Sequence, residues 1–236
     1  MAQKSHYDNS EVEDFHRINH LYIIEGKLKN ISRIRVGVGR GGEQLFSPSD
    51  SPITRLNGQP YIPGSSLKGI FRSHVERLAA TILKQDLHSP FDDIQEIEKD
   101  KKCVICAIFG NTLIASHVRI FDAFPEKEPT TTIKPGIGIN RVFGGVQPGI
   151  GPFHDEYVNP GTRWTFRMDV YNIDLLSTTD FRAILIQQLI KDLQNGLLQV
   201  GGKTSTGAGL IALEETTITK IEYIDGKPVS TSVKLP

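Results

Sequence analysis

Apolar residues along the chain fall into a few periodic stretches separated by Gly, Pro and polar runs. From Leu21 to Ile34 they alternate, through Leu21-Tyr22-Ile23-Ile24 and on to Leu28 and Ile31, which predicts a strand. After Pro63-Gly64 the spacing changes. Leu67, Ile70, Phe71, Val75, Leu78 and Ile82 recur at helical intervals, so one face of a helix is buried, and Ser65 or Ser66 is placed to cap it. His117 to Phe124 reads as a strand, as does Thr162 to Ile173, where Trp164, Phe166, Met168 and Val170 share one face. Thr179 or Asp180 caps a second helix that buries Phe181, Ile184, Leu185, Leu189, Leu193 and Leu197, with Gly196 as a candidate stop. Leu210 to Glu214 gives a last strand. The tail from Thr217 suits a hairpin turning at Asp225-Gly226.

The stretches between these elements are as informative. Residues 1–20 read as a loose leader, and 21–236 as a single domain. Residues 85–112 carry no strong period and read as an insertion. Thr130 to Gly161 is rich in Gly and Pro and too long for a plain connection; long structured loops are usually functional. The order strand, helix, strand, long loop, strand, helix, strand is that of a split βαβ, ferredoxin-like α+β domain. Its antiparallel sheet covers the helices with one face and can leave the other for RNA.

Composition narrows the classes. No apolar run approaches the ~18 residues of a membrane span, and the polar start of the chain is no signal peptide. Two cysteines exclude a secreted disulfide scaffold, so cytoplasm is the expected compartment. The formal net charge is zero. That argues against gripping nucleic acid by bulk electrostatics but permits a local basic strip, backbone amides and helix N-termini. The bias is local: Arg33, Arg35, Arg40, Arg55, Lys68 and Arg72 gather in the first third, while acids dominate Asp92 to Asp100.

Four motifs carry candidate chemistry. Pro60-Tyr-Ile-Pro-Gly-Ser-Ser-Leu-Lys-Gly-Ile-Phe-Arg72 delivers a helix N-terminus with Lys68 and Arg72 beside it, able to receive an anion. A plain capped helix with surface cations accounts for the same spacing. Gly201-Gly-Lys-Thr-Ser-Thr-Gly-Ala-Gly209 lets backbone approach a phosphate, with Lys203 adding charge; a flexible αβ loop is the simpler account. It is not a P-loop, because Leu197 stands where the first Gly belongs. Cys103-Val-Ile-Cys106 has half the ligands of a zinc site, with His74 and His88 as candidates for the rest; reduced, half-buried thiols are the alternative. Asp50, in a Ser-Asp-Ser-Pro turn, commonly caps its own backbone. His6, His16, His20, His117 and His154 form no pair with catalytic spacing.

Together and in this order, Pro60 to Arg72, Cys106-Ala-Ile-Phe-Gly-Asn111, Arg119-Ile-Phe-Asp-Ala-Phe124 and the Gly201–Gly209 loop resemble the RAMP superfamily, most closely the backbone subunit of type III CRISPR effector complexes. The resemblance implies a modified RNA-recognition fold with a β-hairpin thumb, here within Thr130 to Asn159. It implies copies stacked along a guide RNA (crRNA), with target RNA and other effector subunits as partners. Arg40, Ser65, Ser66, Lys68 and Arg72 would contact RNA, as would Asn140, Arg141 and Phe143 in the thumb, and Gly202, Lys203 and Ser205 in the glycine loop. Asp50 occupies the position of the family's cleaving residue, where it would orient or deprotonate a ribose 2′-OH or hold a hydrated Mg²⁺ or Mn²⁺. The products would be a 2′,3′-cyclic phosphate and a 5′-OH. A catalytically silent scaffold subunit is the alternative, since some backbone paralogues lack the activity. Some members also carry a small zinc knuckle before the Phe-Gly, which would use Cys103 and Cys106; theirs often has more cysteines.

Overall fold

The computed structural model describes residues 15, 17–37, 49–83, 87, 103–112, 114–149 and 151–236. Arg40 and His88 lie outside them. Among these residues, ten strands and three α-helices follow in chain order: β1 (Leu21–Asn30), β2 (Arg55–Leu56), β3 (Gln59–Pro60), α1 (Gly64–Leu83), α2 (Val104–Phe109), β4 (Val118–Ile120), β5 (Thr131–Gly136), β6 (Phe153–Val158), β7 (Arg163–Tyr171), α3 (Phe181–Gln194), β8 (Leu198–Gln199), β9 (Leu210–Ile224) and β10 (Lys227–Ser232). The main sheet has the order β10-β9-β1-β7-β4, with β8 added to β9. Its pairings are antiparallel. Taking β1, α1, β4, β7, α3 and β9 in turn gives the ferredoxin-like α+β arrangement.

Period-2 alternation builds the core. Tyr22, Ile24 and Leu28 of β1 point inward with Trp164, Phe166, Met168 and Val170 of β7. Leu67, Phe71, Val75 and Ala79 of α1 and Leu185, Ile186, Leu189, Ile190 and Leu193 of α3 cover them. The outward face of the sheet carries its own neutralising pairs: Lys27–Glu126, Lys29–Glu214, Arg163 with Glu214 and Glu215, and Arg167 with Asp169. The face expected to lie open to RNA is therefore balanced rather than basic.

Several expectations need correction. α1 begins at Gly64, ahead of both serines, and its first amide donates to Asp122 Oδ1 at 2.7 Å. The cap comes from a distant strand end instead of Ser65 or Ser66. Ile82 is exposed on that helix. At α3 the cap is Asp180, whose Oδ1 accepts from Arg182 N, but the helix ends at Gln194 and Leu197 lies beyond it, exposed. The insertion holds α2, all six of whose residues are buried. β9 continues ten residues past Glu214 before the Asp225-Gly226 turn, through a residue of positive φ, Glu215. The end of the leader is tied down: Asn172 accepts from the amide of Asn19 through Oδ1 and donates to Arg17 O. The Phe15 ring lies 4.4 Å from that of His117. Burial pushes His117 down to about 4, with the charge of Arg182 adding to the effect, so it stays a neutral core residue.

One buried amide joins the sheet to the segment beyond it. Asn30, with no exposed surface, donates from Nδ2 to Ser32 O and Asn159 O, both at 2.9 Å, and accepts from Trp164 Nε1 at 3.2 Å. Asn30→Ala strands the buried Trp164 indole N–H, which costs about 1–3 kcal/mol if unsatisfied, and takes a donor from two half-buried carbonyls. With relaxation, the substitution is expected to lower stability by roughly 2–4 kcal/mol. In urea titration this appears as a lower midpoint at unchanged slope.

Candidate nucleic-acid interface

The Gly- and Pro-rich stretch forms a hairpin. β5 and β6 pair antiparallel from Thr131↔Val158 to Gly136↔Phe153 as a sheet of their own. Gly136 has no side chain to collide with the Phe153 ring, which crosses the hairpin where a Cβ would sit. At the tip, Asn140 organises the turn. Its Oδ1 accepts from Val142 N at 2.8 Å, its Nδ2 donates to Gln147 Oε1, and its backbone exchanges bonds with Gly144 and Gly145. Asn140 thus shapes the tip, and Arg141, Val142 and Phe143 are what the tip presents. Val142 is 89% exposed and Phe143 70%, with Ile137, Ile139 and Val146 also outside. Such an apolar patch on a projecting hairpin marks a contact surface.

β6 is also the strand to which the other candidate segments attach. The Asp50 segment runs beside it. Ser49 Oγ donates to His154 O at 2.6 Å, Asp50 Oδ2 accepts from His154 N at 2.6 Å, and Ile53 N donates to Glu156 Oε2 at 3.1 Å. Arg55 closes the series with a two-pronged contact to Glu156, at 2.9 and 2.5 Å. Hydrogen bonding by Arg55 holds the buried Glu156 carboxyl below its ordinary range, against the opposing effect of burial. Asp50 itself stays in solvent, with its side chain 61% exposed. Its Oδ2 lies 3.4 Å from His154 Nδ1. The sequence offered no spacing that would join these two residues.

The glycine loop reaches the same strand from the other side. Gly202 N donates to Arg35 O at 2.8 Å, and Gly201 approaches Arg35 so closely that any Cβ would overlap its carbonyl. Lys203, in the left-handed region, extends its ammonium to 3.3 Å from Asp155 Oδ2 and lies over the Phe153 ring. Arg35 Nε lies 3.6 Å from the other oxygen of Asp155. Ser205 is exposed on the short 3-10 turn Thr204–Thr206. Between this loop and the hairpin stem lies a groove of about 520 Å³, lined by Arg33, Lys134, Tyr157 and Asn159 among others. The Arg33 guanidinium lies over the Tyr157 ring at 5.0 Å, and its Nε is buried without a hydrogen-bond partner. Sequence reading singled out neither Lys134 nor Tyr157.

At α1 the two expected RNA contacts differ. Arg72 turns inward, donating to Glu76 Oε1 at 2.8 Å and Gly110 O at 3.0 Å, and so ties α1 to the end of α2. Lys68 has no carboxylate within ion-pair range among the described residues. Burial, then the nearby charge of Arg72, pulls its pKa down. It is a half-buried cation with capacity for an anion. Ser65 is exposed and Ser66 half-buried in the same turn, where Ser66 N bonds back to Pro63 O.

Three of the four metal candidates, Cys103, Cys106 and His74, lie among the described residues. Cys103 Sγ accepts from Cys106 N and caps α2. A hydrogen bond to Cys103 and burial both push the Cys106 thiol up. His74 Nε2 lies 2.7 Å from Asp192 Oδ2, and Gln188 holds the other oxygen of that carboxylate. Among the described residues no group of three or more His, Cys, Asp or Glu side chains is placed to hold a metal. Among the described residues, Cys103, Cys106 and His74 are not gathered into one such group, and Asp50 stands there as a single carboxylate. Metal analysis of the purified protein reads this directly: zinc near one per chain requires ligands outside the described residues. No helix among the described residues is long and apolar enough to cross a membrane.

Comparison with known proteins agrees with this architecture. Residues 27–212 match the RAMP superfamily, and the chain belongs to that family. It is 26% identical over 239 residues to the CRISPR system Cms endoribonuclease Csm3 of Methanothermobacter thermautotrophicus, covering 87% of this chain and 89% of that protein. A second protein of the same name, from Enterococcus italicus, is 26% identical over 200 residues, covering 78% and 86%.

The Arg55–Glu156 contact generates a prediction. Arg55→Ala leaves a carboxylate buried without its cation. Because Arg55 is partly exposed, the expected cost is roughly 1–3 kcal/mol rather than the full penalty of a buried pair. Proteolytic sensitivity should rise between Ser49 and Ile53. The sign with pH follows from the lowered carboxyl. In the wild type this stabilisation is present above the ordinary carboxylate range and is lost as pH falls through the lower folded value. The variant should lose that part of the acid dependence, measured as midpoint against pH.

Proposed function

We propose that this chain is a repeating backbone subunit of a type III CRISPR ribonucleoprotein, which holds guide RNA, receives complementary target RNA and cuts that target at a regular position. The observation that carries this reading is the convergence on β6. One strand supplies the stem of an apolar-tipped hairpin, the anchor of the exposed Asp50 and the partner of the Lys203 loop. A hairpin that wedges bases apart at its tip would present the phosphate beside the splayed nucleotide to a group beside its stem. The name carried by the two relatives supports an endoribonuclease. Cleavage depends on Asp50, with the 2′-OH attacking its own phosphate and the 5′-oxygen leaving. The Mg²⁺ or Mn²⁺ requirement implied by the resemblance has no protein-built site among the described residues, and no step here is routed through a cation.

RNA binding uses few charges. Lys68, the Arg33–Lys134 groove, the glycine loop with Gly202 and Ser205, and Arg141 at the tip form the contact set, with partner subunits stacking along the guide. Arg72 and Asn140 act inside the chain, as a tie and a turn.

The test is reconstitution with guide RNA, complementary RNA and divalent metal. Asp50→Ala is expected to reduce cutting at the positions assigned to this subunit by about 10²-fold or more, with guide binding unchanged. Cuts that persist in the variant, or a wild type that never cuts, assign the chain to the silent scaffold role. Lys68→Ala should weaken RNA binding equally for unrelated guide sequences and lower the salt slope by about one, because phosphate contacts carry no base information. A sequence-selective loss counts against it.

A further inference from the structure

Asp50 has an unusual geometry for a residue that would act on RNA by itself. One of its two oxygens is occupied twice by a single residue. Oδ2 accepts the backbone amide of His154 at 2.6 Å and lies 3.4 Å from Nδ1 of the same side chain. The carboxylate therefore fixes the backbone position of His154 and stands within ion-pair range of its ring. A carboxylate standing beside Nδ1 favours the proton on that nitrogen, which leaves Nε2 as the one that can accept a proton. The His154 side chain is 42% exposed, so the ring is accessible to RNA. The strand on which it sits runs directly into the hairpin tip.

We infer that His154 and Asp50 form a dyad in which His154 Nε2 is the catalytic base and Asp50 is its positioning residue. This rests on the cleavage reading above and assigns its proton acceptor. In the step, the proton of the ribose 2′-OH passes to His154 Nε2, and the freed oxygen pair forms the O2′–P bond. The P–O5′ bond breaks, its electron pair stays on O5′, and O5′ takes a proton from water. The imidazolium then returns its proton to solvent. The charged groups around His154 fit this role. Asp50 faces it from the 49–53 segment. The neighbouring Asp155 is balanced by Arg35 and Lys203, and Glu156 by Arg55. Lys134 lies on the paired strand, next to His154's partner Pro135.

The experiment uses the reconstituted ribonucleoprotein in single turnover, comparing wild type, His154→Ala, His154→Gln and Asp50→Ala. Guide-RNA retention serves as the folding control. Both His154 variants should cut about 10²–10⁴-fold more slowly, and the acidic limb of the wild-type pH–rate profile should disappear in them. Added imidazole should restore His154→Ala, whose vacated space admits it, and should not restore Asp50→Ala, where the natural ring still fills the place. Wild-type rates in the His154 variants overturn the dyad while leaving cleavage intact. So does a slow His154→Ala that imidazole does not restore and that keeps the acidic limb, since that is the signature of a structural role. Absence of cutting by the wild type overturns the cleavage reading itself and is distinct from either.

Discussion

Two adjacent carboxylates, Asp155 and Glu156, are buried on β6, and neither is tolerable there without cations. Neighbouring residues of a strand point to opposite faces. Each carboxylate therefore draws its partners from a different direction. Asp155 takes Arg35 and Lys203, which brings in the end of β1 and the glycine loop. Glu156 takes Arg55 and the Ile53 amide, which fixes the segment that carries Asp50. Three segments far apart in sequence are assembled by this one constraint, and the hairpin root is clamped between them.

The clamp explains why the glycine loop looks different in the structure from what its composition suggests. Its lysine is committed to Asp155 and the Phe153 ring, and its glycines serve the close approach to Arg35. The loop positions β6 first, and any contact with phosphate comes from backbone and hydroxyl groups on its outer side. The hairpin is not continuous with the main sheet. It is held by this clamp, by the Ile34–Val158 bridge and by the buried Asn30 amide. Its stem is thus rigidly rooted, while its tip is shaped locally by Asn140.

Much of this was legible in the sequence wherever a residue's role follows from its neighbours. The alternation of Trp164 to Val170 and the spacing of Leu67 to Ala79 required only local patterning, and the ferredoxin-like order followed. α2 was missed because Val104 to Phe109 are all buried and therefore show no amphipathic period. The cap of α1 was misassigned because Asp122, a residue 58 positions away, outcompetes the adjacent serines. β9 was read too short because its second half alternates Thr, Lys and Glu on a half-exposed surface. His154 carried no signal at all: a lone histidine in a Pro- and Gly-rich stretch has meaning only once β6 is laid beside Asp50. The family motifs pointed to Asp50 through resemblance, and what the resemblance left open was which side chain stands next to it.

The internal pairing of charge has a consequence for how such a chain holds a polyanion. Among the described residues, ten basic side chains are paired with carboxylates of the same molecule, on the sheet face as well as at β6. Each such pair removes a cation from what a single copy can offer to phosphate, which lowers the electrostatic part of its affinity. In the proposed assembly, copies aligned on one strand would bind as a multivalent array, in which each added subunit engages at high effective concentration. Retention is set by how many subunits are engaged at once, so it scales with the length of RNA covered.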